Sequence, residues 1–469
     1  MSRTVLGHTV LRTEDRALLT GAARYVDDVA VLTGAAWAVF VRSVYAHAEL
    51  RHVDTAAAQG APGVVAVCVA ADLDLPLAGA MGGDGKMDRP RLATGRVRFV
   101  GEPIAVVVAQ TRAQAYDAAD LVVVDADPLP PVVDPLAALE PEMPLLFPEF
   151  GANQTTGPVP AASGDGWPDA EVVVRTRLRH RRIAPAPMEP NGAVAVPEGD
   201  RLTVYASTQS VFGVRGEIAR ALGVDENAVT VRAPAVGGGF GAKGGVYNEQ
   251  VVVAALARRL GGAVAWTETR AENLVNMTHA RAQIHDVEIG AKRDGTIVGL
   301  RIRTVADVGA YPIRGAFIPM VTRFMASGCY RIPAIEALAV IVVTNTTPTG
   351  PYRGAGRPEA AAMCERSVNV LAGALGLDPI EVRRRNFVAA DAFPYRTATG
   401  ATYDTGDYHA ALAEAVRVSR YDEWRAEQAT RRTRGDRRQL GIGLASYVEV
   451  SGRGGEYGSV RVDLDGSAT

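Results

Sequence analysis

The chain has 469 residues, of which 48% are hydrophobic and 22% charged, with a formal net charge of −2. This length is too great for one ordinary hydrophobic core, and the composition excludes general disorder. The near-neutral charge gives no electrostatic basis for nucleic-acid binding, and no apolar run approaches the roughly 18 residues of a membrane span. We expect a cytoplasmic protein of several domains that binds neither nucleic acid nor membrane.

The first part of the chain predicts a small α+β domain. Residues 104–108 are apolar and β-branched, which favours a strand, and residues 122–124 resume strand character. Between them, residues 111–119 predict a helix, with Thr111 placed to accept a capping hydrogen bond. Residues 151–169 are rich in Gly, Pro, Ser and Thr, which indicates a boundary between a domain at 1–150 and a second at 151–469.

The second part of the chain mixes helices and strands without regular alternation, which favours an α+β fold over a doubly wound parallel sheet. Strands are predicted at residues 202–206, 229–235, 282–298, 300–308 and 440–463. Helices are predicted at residues 214–222, 247–260 and 363–375, and from Pro379 onward. Asp294-Gly295 is a hairpin-turn signal, and Asp378 is placed to cap the helix that Pro379 begins.

Residues 237–245, the glycine loop, contain six glycines among nine positions. Each ordered glycine costs about 0.5–1 kcal/mol relative to alanine, so the loop needs a reason to keep them. Close approach of backbone N–H groups to an electron-rich ligand is such a reason. A tight turn, a nucleotide loop and a metal-oxo cofactor site all remain possible here. Gly237, Gly239 and Ala242 fit a dinucleotide pattern loosely, but Glu268, the nearest acidic candidate, lies too far downstream.

Several motifs, taken together and in order, resemble the molybdenum-cofactor-binding large subunit of the xanthine dehydrogenase and aldehyde oxidase family. They lie at residues 12–28, 101–108, 207–210, 229–245, 344–358 and 378–386. The resemblance covers nearly the whole chain and is strongest to carbon-monoxide dehydrogenase-like members. It implies an N-terminal α/β-hammerhead domain followed by the first part of an α+β molybdenum-cofactor-binding domain, whose second half is absent.

The resemblance also implies roles for individual residues. Gln209 matches a glutamine beside the molybdenum, and Arg353 matches a loop arginine that packs at the pterin and metal. Phe240 and Gly241 match the loop whose backbone faces the metal's oxo group, so Gln209, Phe240 and Arg353 are the candidate metal-site residues. Gly238 and Gly239 complete the candidate cofactor-binding set. The cofactor implied is molybdenum-molybdopterin, in its cytosine dinucleotide form.

Three positions depart from the family pattern. Xanthine enzymes carry a glutamate where Gly244 stands and an aromatic residue where Ala355 stands, which argues against purine recognition. Carbon-monoxide dehydrogenases carry a copper-binding cysteine where Gly354 stands, so no copper site is expected. The family's catalytic glutamate is expected beyond Thr469, and no catalytic residue is assigned within the chain.

The function expected from this resemblance is hydroxylation of an aldehyde or N-heterocycle carbon, with water as the oxygen source. Because Cys68, Cys329 and Cys364 are widely separated, no iron–sulfur motif is encoded. Electrons are therefore expected to leave through an iron–sulfur small subunit and an FAD-binding medium subunit. A second chain carrying the C-terminal half is a further expected partner, without which the chain would be inactive. A non-catalytic assembly half and a nicotinamide-dependent dehydrogenase are the alternatives.

Overall fold

The computed structural model describes residues 7–82, 84–155, 167–450 and 458–468. Its helices are α1 (Asp15–Leu19), α2 (Val26–Thr33), α3 (Ala56–Gln59), α4 (Arg112–Ala119), α5 (Val211–Leu222), α6 (Asn248–Leu260), α7 (Arg270–Asn276), α8 (Ile318–Phe324), α9 (Arg357–Leu375), α10 (Pro379–Asn386), α11 (Tyr408–Ser419) and α12 (Tyr421–Arg434).

The strands form four sheets. They are β1 (Ala36–Arg42), β2 (Ala48–Asp54), β3 (Val64–Val69), β4 (Arg96–Val97), β5 (Pro103–Ala109), β6 (Val123–Pro128), β7 (Val172–His180), β8 (Gly192–Glu198), β9 (Arg201–Ala206), β10 (Val229–Arg232), β11 (Val264–Thr267), β12 (Gln283–Ala291), β13 (Ile297–Asp307), β14 (Ile335–Val342), β15 (Tyr395–Arg396) and β16 (Thr402–Tyr403). This mixture of helices with largely antiparallel sheets confirms the α+β fold class.

The largest sheet has seven strands in the order β10-β9-β8-β11-β1-β5-β3. It combines strands from both sides of the predicted boundary at residue 150, because β1 pairs in parallel with β11. Helix α6 packs on this sheet, and its Val252, Val253 and Leu256 are fully buried with Val204 of β9. The division into 1–150 and 151–469 therefore stays a prediction, and part of its linker, residues 156–166, lies outside the described residues.

A second sheet has four strands in the order β14-β13-β12-β7. Strands β12 and β13 are antiparallel partners on either side of Asp294-Gly295, which confirms the predicted hairpin. Helix α9 packs on this sheet and buries Met363, Val368 and Leu371 with sheet residues in one core. The remaining sheets are small, in the orders β4-β2-β6 and β15-β16.

The capping predictions are confirmed at both helices. The Thr111 side chain accepts a hydrogen bond from Gln114 N at the start of α4, and the Asp378 side chain accepts one from Ile380 N at the start of α10. Helix α5 ends at Gly223, which is left-handed with φ 63°. These signals are local, so the sequence around each helix end contains the groups that stop it.

Several predicted elements are wrong in extent. The strand predicted at 282–298 ends at Ala291, because the hairpin turn begins there. Helix α9 begins at Arg357, six residues before the predicted start, because Glu359 caps the Gly356 N–H from within the first turn. Residues 440–450 were predicted to form a strand, but they pair with no strand among the described residues. The apolar alternation is present there without the hydrogen-bond partner that a strand requires. Residues 451–457 of the same prediction lie outside the described residues.

Candidate cofactor-binding site

The site lies where loops from the two large sheets meet. The glycine loop leaves the edge strand β10 and enters α6, while the arginine loop (residues 344–358) follows the edge strand β14 and enters α9. The backbones of the two loops are joined by a hydrogen bond from Arg353 N to Phe240 O at 2.7 Å. The rings of Phe240 and Tyr352 are also in edge contact, with centroids 6.5 Å apart. The fold therefore brings together two segments that are over 100 residues apart in sequence.

The backbone of the glycine loop is unusual at three positions. Gly238, Phe240 and Gly241 have φ of 100°, 55° and 95°, and Phe240 carries a side chain in this left-handed region. A non-glycine residue in that conformation is strained, and such strain is commonly kept at functional sites. Ala355 in the arginine loop is a second case, with φ 41°. Both loops thus hold conformations that L residues rarely adopt.

Gln209 is held against the glycine loop by both its backbone and its side chain. Its Oε1 accepts a hydrogen bond from Gly241 N at 2.8 Å, and its backbone N donates to Lys243 O at 2.9 Å. A Cβ built on Gly239 would overlap the Gln209 amide and lie 2.8 Å from its Cγ. Glycine is therefore required at 239 by close approach of Gln209, whereas a positive φ requires it at 238 and 241.

Three successive backbone amides of the loop have no hydrogen-bond acceptor in the part of the chain that the structure describes. They belong to Gly238, Gly239 and Phe240. The amides on either side are satisfied, since Gly237 N donates to Glu189 and Gly241 N donates to Gln209. A run of open N–H groups, two of them without a Cβ beside them, fits an electron-rich group such as an oxo ligand or phosphate.

A buried ion network supports the loop from the interior. Lys243 Nζ donates to Glu189 O at 2.8 Å, to Glu189 Oε2 at 3.1 Å and to Ser207 Oγ at 2.6 Å. The Lys243 side chain has no solvent exposure, and burial lowers the pKa of its ammonium group. Sequence reasoning missed this network, because Glu189 is 54 residues upstream of Lys243. The only signal was a lysine inside a loop of small residues.

Arg353 reaches the site through its backbone. Its N–H donates to Phe240 O, its carbonyl accepts from Arg281 Nη2 at 2.9 Å, and its side chain is exposed. Arg281 in turn pairs with Glu359 at 3.1 Å and anchors this loop to the start of α9. The expected packing of the Arg353 guanidinium against a pterin stays a prediction.

Glu268, the acidic residue considered for a nucleotide ribose, is in the interior. Its carboxylate accepts hydrogen bonds from Asn273 Nδ2 at 2.8 Å, Asn276 Nδ2 at 3.1 Å and Asn191 N at 3.2 Å. Only 2% of the residue is exposed. Because this carboxylate is buried and already accepts three hydrogen bonds, it is not available to a nucleotide ribose at the glycine loop. This weakens the nicotinamide-dependent dehydrogenase alternative.

Within the described residues, no three His, Cys, Asp or Glu side chains converge as a set that could hold a metal ion. No helix in the described part of the chain has the length and apolarity to cross a membrane.

Two family models match the chain in sequence. Residues 151–387 match the molybdopterin cofactor-binding domain, and residues 20–130 match the a/b hammerhead domain of aldehyde oxidase and xanthine dehydrogenase. The chain belongs to the aldehyde oxidase and xanthine dehydrogenase family. The expected order of a hammerhead domain followed by a molybdenum-cofactor-binding domain is confirmed. Gln209, the glycine loop and Arg353 all lie within the molybdopterin-binding match.

Individual relatives agree with this assignment. The carbon monoxide dehydrogenase large chain of Hydrogenophaga pseudoflava is 35% identical over 466 residues, covering 94% of this chain and 58% of the relative. The nicotine 6-hydroxylase large subunit of Paenarthrobacter nicotinovorans is 34% identical over 474 residues, covering 96% and 56%. The structure of quinoline 2-oxidoreductase from Pseudomonas putida 86 superposes with a TM-score of 0.85 at 35% identity, covering 92% and 56%. The chain thus spans less than two thirds of the length of these relatives.

Proposed function

We propose that this chain is the cofactor-binding segment of a molybdenum hydroxylase that oxidises an aldehyde or N-heterocycle carbon. The observation that carries the proposal is the run of open amides at Gly238, Gly239 and Phe240 beside Gln209, in a chain of this family. Molybdenum-molybdopterin, as the cytosine dinucleotide, is the group we assign to it. When bound, that cofactor supplies the two-electron oxidation, with water as the source of oxygen.

The residues of the chain would position the bound cofactor and polarise the reacting group. The open amides present fixed dipoles to negative charge, which stabilises charge that develops during a reaction without a reorganisation cost. Gln209 is oriented by Gly241 N through its Oε1, so its amide NH2 is free to donate. The exposed Arg353 guanidinium adds positive charge at the same loop junction. The Lys243–Glu189–Ser207 network keeps the loop in place from below.

The general base and the electron carriers are assigned outside residues 1–469. No carboxylate among residues 1–469 matches the glutamate that the family uses as its base, so none of these residues is assigned that role. Loss of such a base costs about 10²–10⁴-fold in rate, so we expect any assembly without it to turn over more slowly by this factor. We further propose an iron–sulfur small subunit and an FAD-binding medium subunit as its partners.

The substrate proposal rests on what is missing near the loops. Gly354 offers no sulfur ligand for copper, so we propose that carbon monoxide is not a useful substrate. Gly244 and Ala355 lack the polar and aromatic groups that purine enzymes of this family use. An aldehyde or an N-heterocycle other than a purine remains as the substrate class.

The test is metal and cofactor analysis of the assembly purified with its partner subunits. Molybdenum and a pterin in about equal amounts, with hydroxylation of aldehydes or N-heterocycles, is the expected result. Bound NAD(P) without molybdenum would overturn the proposal in favour of the dehydrogenase alternative. A stable assembly with neither cofactor would favour the non-catalytic alternative.

A further inference from the structure

A cavity of about 350 Å³ adjoins the glycine loop away from the residues assigned so far. Ala242 and Gly245 of the glycine loop and Pro351 of the arginine loop form part of its lining. The opposite wall comes from the segment between β3 and β4 and contains Arg89 and Arg91. The volume lies at the lower end of small-molecule sites, which suits a single ring or a short chain.

The charged groups of this cavity are unequally paired. Arg91 is held by Glu217, by Asn248 Oδ1 at 3.1 Å and by Pro76 O at 3.0 Å, and Glu217 also pairs with Arg220. Arg91 and Glu217 are therefore already engaged by protein groups and are not available to bind a ligand.

Arg89 is different, because it is a buried cation that forms no salt bridge within the described chain, although the buried Glu249 carboxylate lies near enough for Arg89 to lower its pKa. Only 7% of the residue is exposed, and its Nε and Nη2 atoms have no hydrogen-bond partner among the described residues. Its guanidinium lies over the rings of Phe99 and Tyr311, with centroids 5.1 and 5.5 Å away. Those ring faces stabilise a cation but satisfy none of its N–H donors. A buried guanidinium whose N–H donors lack acceptors is costly unless a ligand supplies them.

A second cation lies at the edge of the same cavity. Arg314 lines it and donates from Nη1 to Gly244 O at 2.6 Å. A Cβ built on Gly244 would lie 3.8 Å from Arg314 Nη2, so position 244 faces this guanidinium directly. The rest of the wall is largely apolar, including Val246 and Ile313. The cavity therefore combines apolar walls with two arginines, Arg89 and Arg314, that form no salt bridge among the described residues, while its lining acid, Glu217, is already paired.

We propose that this cavity binds the carboxylate of the substrate through Arg89, with Arg314 adding positive charge at its edge. In naming the substrate class this inference rests on the proposed function, and it narrows that class to aldehydes and N-heterocycles that carry a carboxylate. A guanidinium presents its N–H donors in a planar fork that matches a carboxylate, and such charge-assisted bonds are stronger than neutral ones. The apolar walls accommodate the ring or chain.

The first experiment measures binding without turnover, using the full 469-residue chain and two probes of the same shape, benzoate and benzamide. Isothermal calorimetry should show at least tenfold tighter binding of benzoate. In Arg89→Met the preference for benzoate should disappear, whereas Arg438→Met, which removes an exposed arginine, should keep it. Equal binding of the two probes by the wild-type chain overturns the inference whether or not the variant folds. Preferential binding of inorganic phosphate over benzoate overturns it in favour of a phosphate site.

The second experiment uses the assembly with its partner subunits and compares pyridine-3-carboxylate with pyridine-3-carboxamide as substrates. We expect at least a tenfold higher kcat/KM for the carboxylate, lost in Arg89→Met mainly through KM. Molybdenum content, measured in the same samples, separates the two proposals. Normal molybdenum and hydroxylation with no carboxylate preference would contradict only this inference, whereas absence of molybdenum would contradict the proposed function.

Discussion

Two sets of polar groups near the glycine loop differ in whether their hydrogen bonds are satisfied. One set lies beneath the loop, and the other faces the open spaces around it. Beneath the loop, Lys243, Ser207 and Oε2 of Glu189 are joined within 3.1 Å, and only Glu189 Oε1 lacks a partner among the described residues of this network. On the open side, the amides of Gly238 to Phe240 and the guanidinium of Arg89 have no hydrogen-bond acceptor in the described chain. The paired groups position the backbone, whereas the unpaired groups mark where a ligand is expected. Whether a polar group has a hydrogen-bond partner in the protein, and not its residue type, distinguishes structural groups from candidate ligand-binding groups here.

The largest expected effect comes from closing the open side of the loop. Gly239→Val should abolish cofactor retention while the fold survives, because the new side chain would displace Gln209 and cover the neighbouring amides. Molybdenum content of the purified assembly should fall at least tenfold, with circular dichroism unchanged. Gly262→Val is the matched control, since a Cβ there meets nothing within 4 Å. Full molybdenum content in Gly239→Val would show that the open amides are not the cofactor site.

Breaking the paired side should cost stability. Lys243→Met leaves the Glu189 carboxylate buried without its counter-ion, and loss of one partner of a buried pair typically costs about 3–5 kcal/mol. Urea unfolding of the variant should show this decrease in the free energy of unfolding. Lys292→Met, at an exposed position, should change it by less than about 0.5 kcal/mol. Equal stability of the two variants would mean that the network does not support the loop.

Glu268 is intermediate in this comparison, because amides satisfy its carboxylate and burial raises its pKa to about 7. Between about pH 4.5 and pH 7 the folded chain keeps a proton that the unfolded chain has released. The free energy of unfolding should therefore fall as pH rises through this range, by on the order of 3 kcal/mol, and level off above it. Glu268→Gln should flatten this part of the stability profile. An identical profile in wild type and variant would refute the assignment.

The smallest expected effect is on stability at Arg89. Because no salt bridge or hydrogen bond holds this guanidinium, and Glu249 near it keeps Arg42 as its ion-pair partner, Arg89→Met should change the free energy of unfolding by less than about 1 kcal/mol, with stabilisation as the favoured direction. The measurement is urea unfolding beside Lys243→Met, in the same buffer. A loss as large as that of Lys243→Met would show that Arg89 has a structural partner, and the comparison would fail.

The sequence predicted best what is decided locally. The caps at Thr111 and Asp378 and the hairpin at Asp294-Gly295 use neighbouring residues, and all three are confirmed. Residues 440–450 show the limit, because alternating exposure is present there without a strand. A period of two specifies which side chains face inward, but a strand also needs a hydrogen-bonding neighbour that sequence spacing does not supply.

The sequence predicted the residues of the candidate site but not the contacts that hold them in place. Gln209 and the glycine loop were matched by motif, and their contact is present in the structure. Close approach of a ligand was the expected reason for the glycines of this loop, and the structure adds a steric reason at Gly239, since Gln209 approaches from outside the loop. The lysine network and the unpaired state of Arg89 depend on contacts between distant segments. No local pattern contains that information.

The pairing of β1 with β11 has a consequence for how such chains are divided. Ala36 and Val264 are neighbours in one sheet, so the two matched segments share a hydrophobic core although their sequence profiles are separate. We expect them to unfold in a single cooperative transition. A chimera in which only residues 20–130 were exchanged with those of a relative would place non-native β1, β3 and β5 side chains in that core. We therefore expect that the two segments recognised by sequence similarity do not fold independently in this protein.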